Sequence, residues 1–304
     1  MNLPHMAERY HRTRCYNSGM RVRHRLLAPI VGLLLLAGVA MPGAAQQQVR
    51  VKTDGGPHGA FDLPAQLFLP AKTPAPAVAI FHGCGGVGVN NTRMAELLKG
   101  WGYAALVVDS FSSRGLKDVC GRNWPTQADA EKRALDIDAT GLWLQEQKWA
   151  LPARHAFMGY SYGGGVGLLR VLNARTDIRD RPTGWRAAVL VYPDCGLGEA
   201  LGATLRPRLP TLMAMGALDD WTPVKQCEAL LGRIKVDRDL IETHVYPDAH
   251  HSFDALGLPV RYLDGVGNRS KPGGCCGAHY GANEAAWKAF VADTKAFLAR
   301  HLAP

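Results

Sequence analysis

The amino-acid sequence predicts an α/β fold with a mostly parallel central sheet of about eight strands and helices on both faces. Two observations carry this prediction. From residue 48 onward, short apolar runs rich in Val, Ile, Leu or Ala alternate with stretches that place apolar residues at helical spacing. Strands that are covered on both faces read as continuous apolar runs of this kind. Of the 304 residues, 47% are hydrophobic, which is enough for a large buried core.

The predicted strands are short, and Gly, Pro or Asp bounds several of them. The first two have no helix between them, so we expect them to form an antiparallel edge of the sheet. In chain order the eight are Gln48–Lys52, Ala65–Leu69, Ala77–Phe81, Ala104–Val108, His155–Gly159, Ala187–Val191, Thr211–Met215 and Ile241–Tyr246.

Each predicted helix follows one of the strands from the third onward. Pro223 suits the first turn of the fourth helix. In chain order they are Thr92–Lys99, Gln127–Gln147, Gly163–Asn173, Pro223–Ile234 and Asn283–His301. Two irregular stretches, Asp109–Pro125 and Asp254–Ala282, are longer than ordinary connections. Loops of this length inside a compact domain usually carry function.

The N-terminal residues have the pattern of a secretory signal. A positive segment, Arg21–Arg25, precedes the apolar stretch Leu26–Met41, and small residues follow it. We therefore predict that residues 1–45 are an N-terminal extension and cleaved signal peptide, with translation starting near Met20. Residues 46–304 are then a single domain, exported to the periplasm or secreted, with no stable membrane insertion after cleavage.

The net charge of +9 owes much to that N-terminal segment. Residues 1–45 hold six of the 35 basic residues and one acid, Glu8, so 29 basic and 25 acidic residues remain. The remaining basic residues are scattered, which argues against a nucleic-acid surface. We expect a small-molecule partner, and we favour a monomer.

Cleavage of the signal peptide would remove Cys15 and leave six cysteines in an oxidising compartment. This even number allows up to three disulfides. The six cysteines are Cys84, Cys120, Cys195, Cys227, Cys275 and Cys276. The leading predicted pair is Cys195–Cys227, because one follows a predicted strand end and the other lies early in the helix after the next strand. Neighbouring Cys275 and Cys276 lack the paired spacing of a zinc site, so we expect no metal.

A glycine-rich turn after the third predicted strand has two interpretations. Its spacing, Gly83-x-Gly85-x-x-Gly88, with Asp109 ending the next strand, resembles a dinucleotide-binding fingerprint and would suit an NAD-dependent oxidoreductase. The preceding His82 favours instead a turn that presents a backbone N–H to an oxyanion. The downstream residues favour the second interpretation.

The strongest catalytic signal is Gly159-x-Ser161-x-Gly163, between a predicted strand and a predicted helix. This is the context of a nucleophile elbow, in which flanking glycines make room for a strained serine at a helix N-terminus. The serine needs a histidine base and an acid that orients it.

Both partners follow in the chain order that this elbow requires, each after a predicted strand. The acid is Asp219 or Asp220, and the base is His250 or His251. Three roles in the required order and context favour a serine hydrolase. Spacing alone does not decide which aspartate is the acid or which histidine is the base.

From about residue 60 to the C-terminus, the chain resembles the dienelactone hydrolase family of α/β hydrolases. The resemblance rests on the serine motif, on Gly216-x-x-Asp219 with Pro223 four residues on, and on the His-Ser-Phe run that begins at His251. It implies an α/β-hydrolase fold, with Asp219 as the acid and His251 as the base. It also implies that the backbone N–H groups of Cys84 and Tyr162 hold the oxyanion.

The chain departs from the best-known members of that family. They carry a cysteine nucleophile where this chain has Ser161. They also place a glutamate beside the oxyanion turn, where this chain has His82-Gly83-Cys84-Gly85. The departure favours a general carboxylesterase that acts on an ester or lactone through an acyl-enzyme. The family's arginine for a substrate carboxylate matches Arg114 roughly, and Trp221 is a further candidate for contact with substrate.

Other function classes remain as alternatives to this hypothesis. A serine peptidase or an acyltransferase could use the same fold, and a secreted binding protein could keep the site without its activity. The favoured mechanism needs no cofactor.

Overall fold

The fold is described from a computed structural model, which covers residues 46–53, 60–121, 125–172, 183–199, 201 and 205–302. The predicted extension and signal peptide, residues 1–45, lie outside the described residues. The last residue of the predicted helix Gly163–Asn173 also lies outside them.

Eight strands form the central sheet, in the spatial order β1-β2-β4-β3-β5-β6-β7-β8. β2 is antiparallel to both β1 and β4, and every other neighbouring pair is parallel. The strands are β1 (Gln47–Thr53), β2 (Phe61–Phe68), β3 (Ala75–Phe81), β4 (Ala104–Val108), β5 (Ala150–Tyr160), β6 (Trp185–Val191), β7 (Thr211–Gly216) and β8 (Ile241–Tyr246). The predicted mostly parallel sheet and its antiparallel edge are confirmed.

Helices cover both faces of the sheet, as predicted. They are α1 (Val89–Gly100), α2 (Gln127–Gln145), α3 (Tyr162–Val171), α4 (Val224–Gly232) and α5 (Glu284–Leu302). Apolar residues of α2, α3 and α4 share one buried cluster, and those of α1 and α5 share the other. Successive residues of β3 alternate between the two clusters, since side chains of a strand point to opposite faces.

The structure differs from the sequence prediction at several element ends, and most in β5, which begins at Ala150, five residues before the predicted His155. α1 begins at Val89, three residues before the predicted start, because the Asn91 carboxamide accepts the N–H of Gly88 and caps the helix. Within the predicted irregular stretch Asp254–Ala282, two short strands pair with each other: β9 (Arg261–Leu263) and β10 (Ala278–Tyr280). Three residues are too few to show an alternating pattern.

The carboxyl ends of the parallel strands lie along one edge of the sheet. His82 follows β3, Ser161 follows β5, Asp219 lies three residues beyond β7, and His251 lies in the turn after β8. The topology therefore brings residues that are far apart in the chain to one place. Among the helices of the described ranges, none combines the length and apolarity needed to cross a membrane.

Candidate active site

Ser161 occupies a strained turn between β5 and α3. Its backbone has φ 52° and ψ −116°, which few residues other than glycine adopt. The flanking glycines are required sterically. A methyl group on Gly159 would lie 2.8 Å from the carbonyl carbon of Gly163, and one on Gly163 would lie 2.6 Å from the carbonyl oxygen of Phe81. The motif therefore folds as the predicted elbow.

The side chains of Ser161, His251 and Asp219 form one hydrogen-bonded chain. The Nδ1–H of His251 donates to Asp219 Oδ2 at 2.7 Å, since an ionised carboxylate can only accept. The other ring nitrogen, Nε2, lies 2.9 Å from Ser161 Oγ and is placed to accept its proton. All three residues are buried, with exposed fractions of 5%, 2% and 5%. The structure thus brings the predicted nucleophile, base and acid together.

The loops that carry the acid and the base are packed against each other. A methyl group on Gly216 would lie 2.8 Å from the carbonyl carbon of Ala249, so this close approach requires a glycine. The N–H of Leu218 also donates to the Ala249 carbonyl at 2.9 Å. This contact fixes the turn after β7 against the turn that precedes His251.

Of the neighbours that spacing left open, Asp219 and His251 are the ones that the structure places in the hydrogen-bonded chain to Ser161. Asp220 is half-exposed and accepts hydrogen bonds from the N–H and the ring Nδ1 of His279, away from the serine. The ring of His250 lies 5.5 Å from that of His279, centroid to centroid. Asp219 and His251 are the neighbours of Ser161, as the family resemblance implied.

The structure adds Thr222 to the site. Asp219 Oδ1 accepts the backbone N–H groups of Trp221 and Thr222, at 2.9 and 2.8 Å. The Thr222 hydroxyl lies 2.9 Å from Asp219 Oδ2 and 3.0 Å from the Tyr192 carbonyl oxygen. These contacts fix the carboxylate that faces His251. The sequence feature that could have indicated these contacts is an aspartate at the start of a tight turn, where its side chain accepts nearby backbone N–H groups.

His82, at the end of β3, is fully buried and neutral. Burial, with the nearby Arg133 guanidinium adding to it, lowers its pKa to about 3. Its Nε2 accepts the N–H of Ser110 at 3.2 Å, so the proton is on Nδ1, 2.7 Å from the Gly83 carbonyl oxygen. His82 therefore ties the glycine turn to the loop after β4.

Arg133, on α2, is a further residue that the sequence reading missed. Its Nη2 donates to the His82 carbonyl at 2.6 Å, and its guanidinium carbon lies 4.8 Å from the Tyr162 ring centroid and 5.1 Å from that of Phe111. Burial lowers the pKa of Arg133 to about 10, and burial raises that of Tyr162 to about 12. Nε and Nη1 of Arg133 have no hydrogen-bond partner among the described residues. The sequence feature that could have indicated a buried Arg133 is its position three residues after Ala130, on the same buried face of α2.

The two backbone groups predicted to hold an oxyanion belong to elements that flank Ser161. Tyr162 is the first residue of α3, where helix geometry directs N–H groups out of the helix end. Cys84 lies in the turn after β3, and a methyl group on the preceding Gly83 would be 3.4 Å from Ser161 Cβ. The glycine turn thus lies against the serine.

The six cysteines predicted to remain after cleavage form three pairs. Cys195 pairs with Cys227, which confirms the leading prediction. Cys84 pairs with Cys120 in the loop after β4, a contact that sequence spacing did not suggest. The neighbouring residues Cys275 and Cys276 are paired with each other.

The two predicted substrate contacts have structural partners. Arg114 forms a bidentate ion pair with buried Asp136, at 2.7 and 2.8 Å, and burial raises the pKa of that carboxyl. It lines a cavity of about 210 Å³ beside the elbow, together with Arg133 and Tyr162. The Trp221 ring lies 4.8 Å from the His251 ring, centroid to centroid, and its indole N–H donates to the Gly267 carbonyl.

Asp109, the acid of the dinucleotide-like pattern, serves the loop in which it lies. Its Oδ1 accepts the N–H groups of Phe111 and Ser112, at 2.8 and 3.0 Å. Burial opposes ionisation, but the Ser112 hydroxyl, which donates to Oδ2, and these two N–H groups together hold the pKa of Asp109 below its usual value. Within the described ranges, no group of three or more His, Cys, Asp or Glu residues is placed to hold a metal ion.

Parallel strands that deliver a serine, an acid and a histidine to one sheet edge, in that chain order, define the class of α/β hydrolases. The sequence matches the family described as "Dienelactone hydrolase family" over residues 63–301, which is most of the chain. The chain therefore belongs to the dienelactone hydrolase family, and the protein is a carboxylic ester hydrolase.

Individual relatives agree with this assignment. The carboxymethylenebutenolidase of Pseudomonas putida is 25% identical over 195 residues, which cover 60% of this chain and 77% of the relative. The dienelactone hydrolase from Anabaena variabilis matches with a TM-score of 0.56 at 19% identity, covering 84% of this chain and 99% of that one. Thermogutta terrifontis esterase 2, in a form phosphoramylated by tabun, gives 0.58 at 18% identity, covering 87% and 97%. At these identities the structural matches establish the shared fold.

Proposed function

We propose that the protein is a serine hydrolase that cleaves a small-molecule ester or lactone through an acyl-enzyme at Ser161. The observation that carries this proposal is the continuous chain of hydrogen bonds from Asp219 through His251 to the Ser161 hydroxyl, at 2.7 and 2.9 Å. A serine hydroxyl is a weak nucleophile unless a base removes its proton, and this arrangement supplies a base that an acid orients.

In the acylation step, His251 takes the proton from Ser161 as its oxygen attacks the carbonyl carbon. Asp219 stabilises the imidazolium that forms, because its carboxylate faces Nδ1. The negative charge that develops on the carbonyl oxygen is held by the backbone N–H groups of Cys84 and Tyr162. His251 then protonates the alcohol as it leaves.

Deacylation repeats the sequence with water in place of the serine. His251 removes a proton from the water, the water oxygen attacks the acyl carbon, and Ser161 regains its proton as the acid product leaves. No cofactor enters this cycle.

The substrate assignment rests on the site and on the relatives. One relative is named a carboxymethylenebutenolidase and another an esterase, and both names denote cleavage at a carboxylic ester. The cavity beside Tyr162 would take the acyl or alcohol group, with Arg114 on its wall and Trp221 next to the base. Two long-range disulfides favour export to an oxidising compartment, in keeping with the predicted signal peptide.

The test is hydrolysis of short p-nitrophenyl esters by the Ser161→Ala variant. We expect kcat to fall by about 10,000-fold or more, as for other hydrolases that lose the nucleophile. The matched control is Ser113→Ala, an exposed serine in the loop after β4, which should keep wild-type turnover. A fluorophosphonate probe should label the wild type and the control only.

Unchanged turnover in Ser161→Ala would refute the proposal. Wild-type protein that neither hydrolyses esters nor reacts with the probe would favour the binding-protein alternative. A substrate panel that includes lactones, peptides and acyl acceptors separates the esterase from a peptidase or acyltransferase.

A further inference from the structure

The Cys84–Cys120 disulfide lies next to the proposed oxyanion hole. Cys84 belongs to the turn after β3, and its backbone N–H is one of the two proposed oxyanion donors. Cys120 lies 36 residues further along the chain, in the loop after β4, and the two Cα atoms are 5.0 Å apart. The cross-link therefore ties the donor residue itself to a distant loop.

The contacts around this cross-link join the same two segments. The Cys84 carbonyl accepts the N–H of Val119 at 2.9 Å. A methyl group on Gly85 would lie 3.6 Å from an oxygen of Asp118, and one on Gly86 would lie 3.0 Å from the Lys117 carbonyl oxygen. The turn thus rests on residues 117–120.

The loop that provides this support is itself weakly packed. Residues 115–118 are exposed, and Val119 and Cys120 are half-buried. The loop contacts a second long loop through the N–H of Gly267, which donates to the Cys120 carbonyl at 2.9 Å. Because little apolar surface holds residues 115–118, the covalent bond supplies much of the restraint on the turn.

We propose that the Cys84–Cys120 disulfide positions the Cys84 N–H for catalysis, which makes Cys120 a positioning residue for the reaction. This inference rests on the proposed function. An oxyanion donor works only when it is held at hydrogen-bond distance from the developing charge. Release of the cross-link lets the turn after β3 move, so the enzyme still binds substrate while turnover slows. Activity therefore depends on the oxidation state of this pair.

The second disulfide provides a matched control. Cys195 and Cys227 are 32 residues apart, close to the 36 of the first pair, so the two cross-links constrain the unfolded chain to a similar extent. Both residues are fully buried, in a short 3-10 helix after β6 and in α4. Neither residue has a proposed role in the reaction.

The experiment compares Cys84→Ala/Cys120→Ala with Cys195→Ala/Cys227→Ala. Alanine keeps the backbone N–H of residue 84, so only its position changes. In the first variant we expect kcat on p-nitrophenyl esters to fall by about 10-fold to 100-fold with KM within about threefold, less than for the loss of a donor. We expect the control to melt earlier and keep its kcat.

A second readout reports on the oxyanion hole directly. Trifluoromethyl ketones add to the nucleophilic serine and leave an oxyanion where the tetrahedral intermediate has one. The first variant should bind such a ketone about tenfold more weakly, and the control should bind it like the wild type. Equal losses of kcat in both variants, or no loss in the first, would overturn the proposal. Ester hydrolysis that depends on Ser161 would then leave the proposed function intact.

Reduction of the wild-type protein decides the question if the first variant does not fold. Dithiothreitol supplies two electrons and two protons, the Cys84–Cys120 bond breaks, two thiols form, and the reductant becomes its cyclic disulfide. The half-buried Cys120 should be reached before the fully buried Cys195 and Cys227. Loss of activity should follow the appearance of thiols at Cys84 and Cys120 by mass spectrometry and reverse on reoxidation. Full activity with these two thiols reduced would overturn the proposal.

Discussion

The two sides of Ser161 are held in place by different means. On the proton-transfer side, His251, Asp219 and Thr222 are side chains in direct contact, with hydrogen bonds of 2.7 to 2.9 Å between successive partners. The acid and its threonine are three residues apart in one turn. This side of the site is built largely within two neighbouring loops.

On the oxyanion side, the proposed donors are backbone groups, and distant residues restrain them. Arg133, on α2, holds the His82 carbonyl at 2.6 Å and lies over the Tyr162 ring. The Cys84–Cys120 disulfide holds the next part of the turn. The comparison teaches that side-chain chemistry can be encoded locally, whereas the direction of a backbone N–H depends on packing from elsewhere in the chain.

We expect the largest loss of activity from a change on the proton-transfer side. His251→Ala removes the proposed base, and we expect kcat/KM for p-nitrophenyl esters to fall by about 10,000-fold or more. His250→Ala is the matched control, because its ring lies beside His279 rather than Ser161. That variant should lose little activity. The reverse result, with His250→Ala severe and His251→Ala mild, would reassign the base.

We expect a smaller loss of activity from a change on the oxyanion side. Arg133→Met keeps an apolar chain of similar length and removes the donor to the His82 carbonyl. We expect kcat to fall by about tenfold with KM little changed, because the turn moves but neither oxyanion donor is deleted. Steady-state kinetics on p-nitrophenyl esters, with a thermal melt to verify folding, would measure this.

Lys132→Met is the control for charge, since it removes the cation at the preceding position of α2, on the wall of the same cavity, and leaves the His82 contact in place. Its kcat should stay within about twofold of the wild type. Equal losses in Lys132→Met and Arg133→Met would show that the positive charge matters rather than the contact with His82.

The sequence predicts the sheet well because its central strands include separate apolar runs, such as β3, β4 and β7. All eight predicted runs overlap strands, and the antiparallel edge follows from the missing helix between the first two. The short strands β9 and β10 could not be predicted, because their pairing depends on the closing of a long loop rather than on a local pattern.

The same distinction separates the predicted and the missed parts of the site. Ser161, Asp219 and His251 lie in short motifs after strands, and chain order alone groups them. The contact of Arg133 with His82 spans 51 positions, and the disulfide of Cys84 spans 36. Pairings of that kind depend on how α2 and the loop after β4 pack onto the sheet.

The smallest effect should come from Thr222, whose hydroxyl lies 2.9 Å from Asp219 Oδ2. Thr222→Val keeps the shape of the side chain and the backbone N–H that also binds this acid. One hydrogen bond is then lost, with a net value of about 1 kcal/mol, so kcat/KM should fall by about fivefold. Thr294→Val, at an equally buried threonine in α5, is the control for burial and should leave kcat/KM unchanged. A loss in Thr222→Val as large as that in His251→Ala would show that the acid depends on its hydroxyl partner, and that the backbone N–H groups of Trp221 and Thr222 do not hold the carboxylate by themselves.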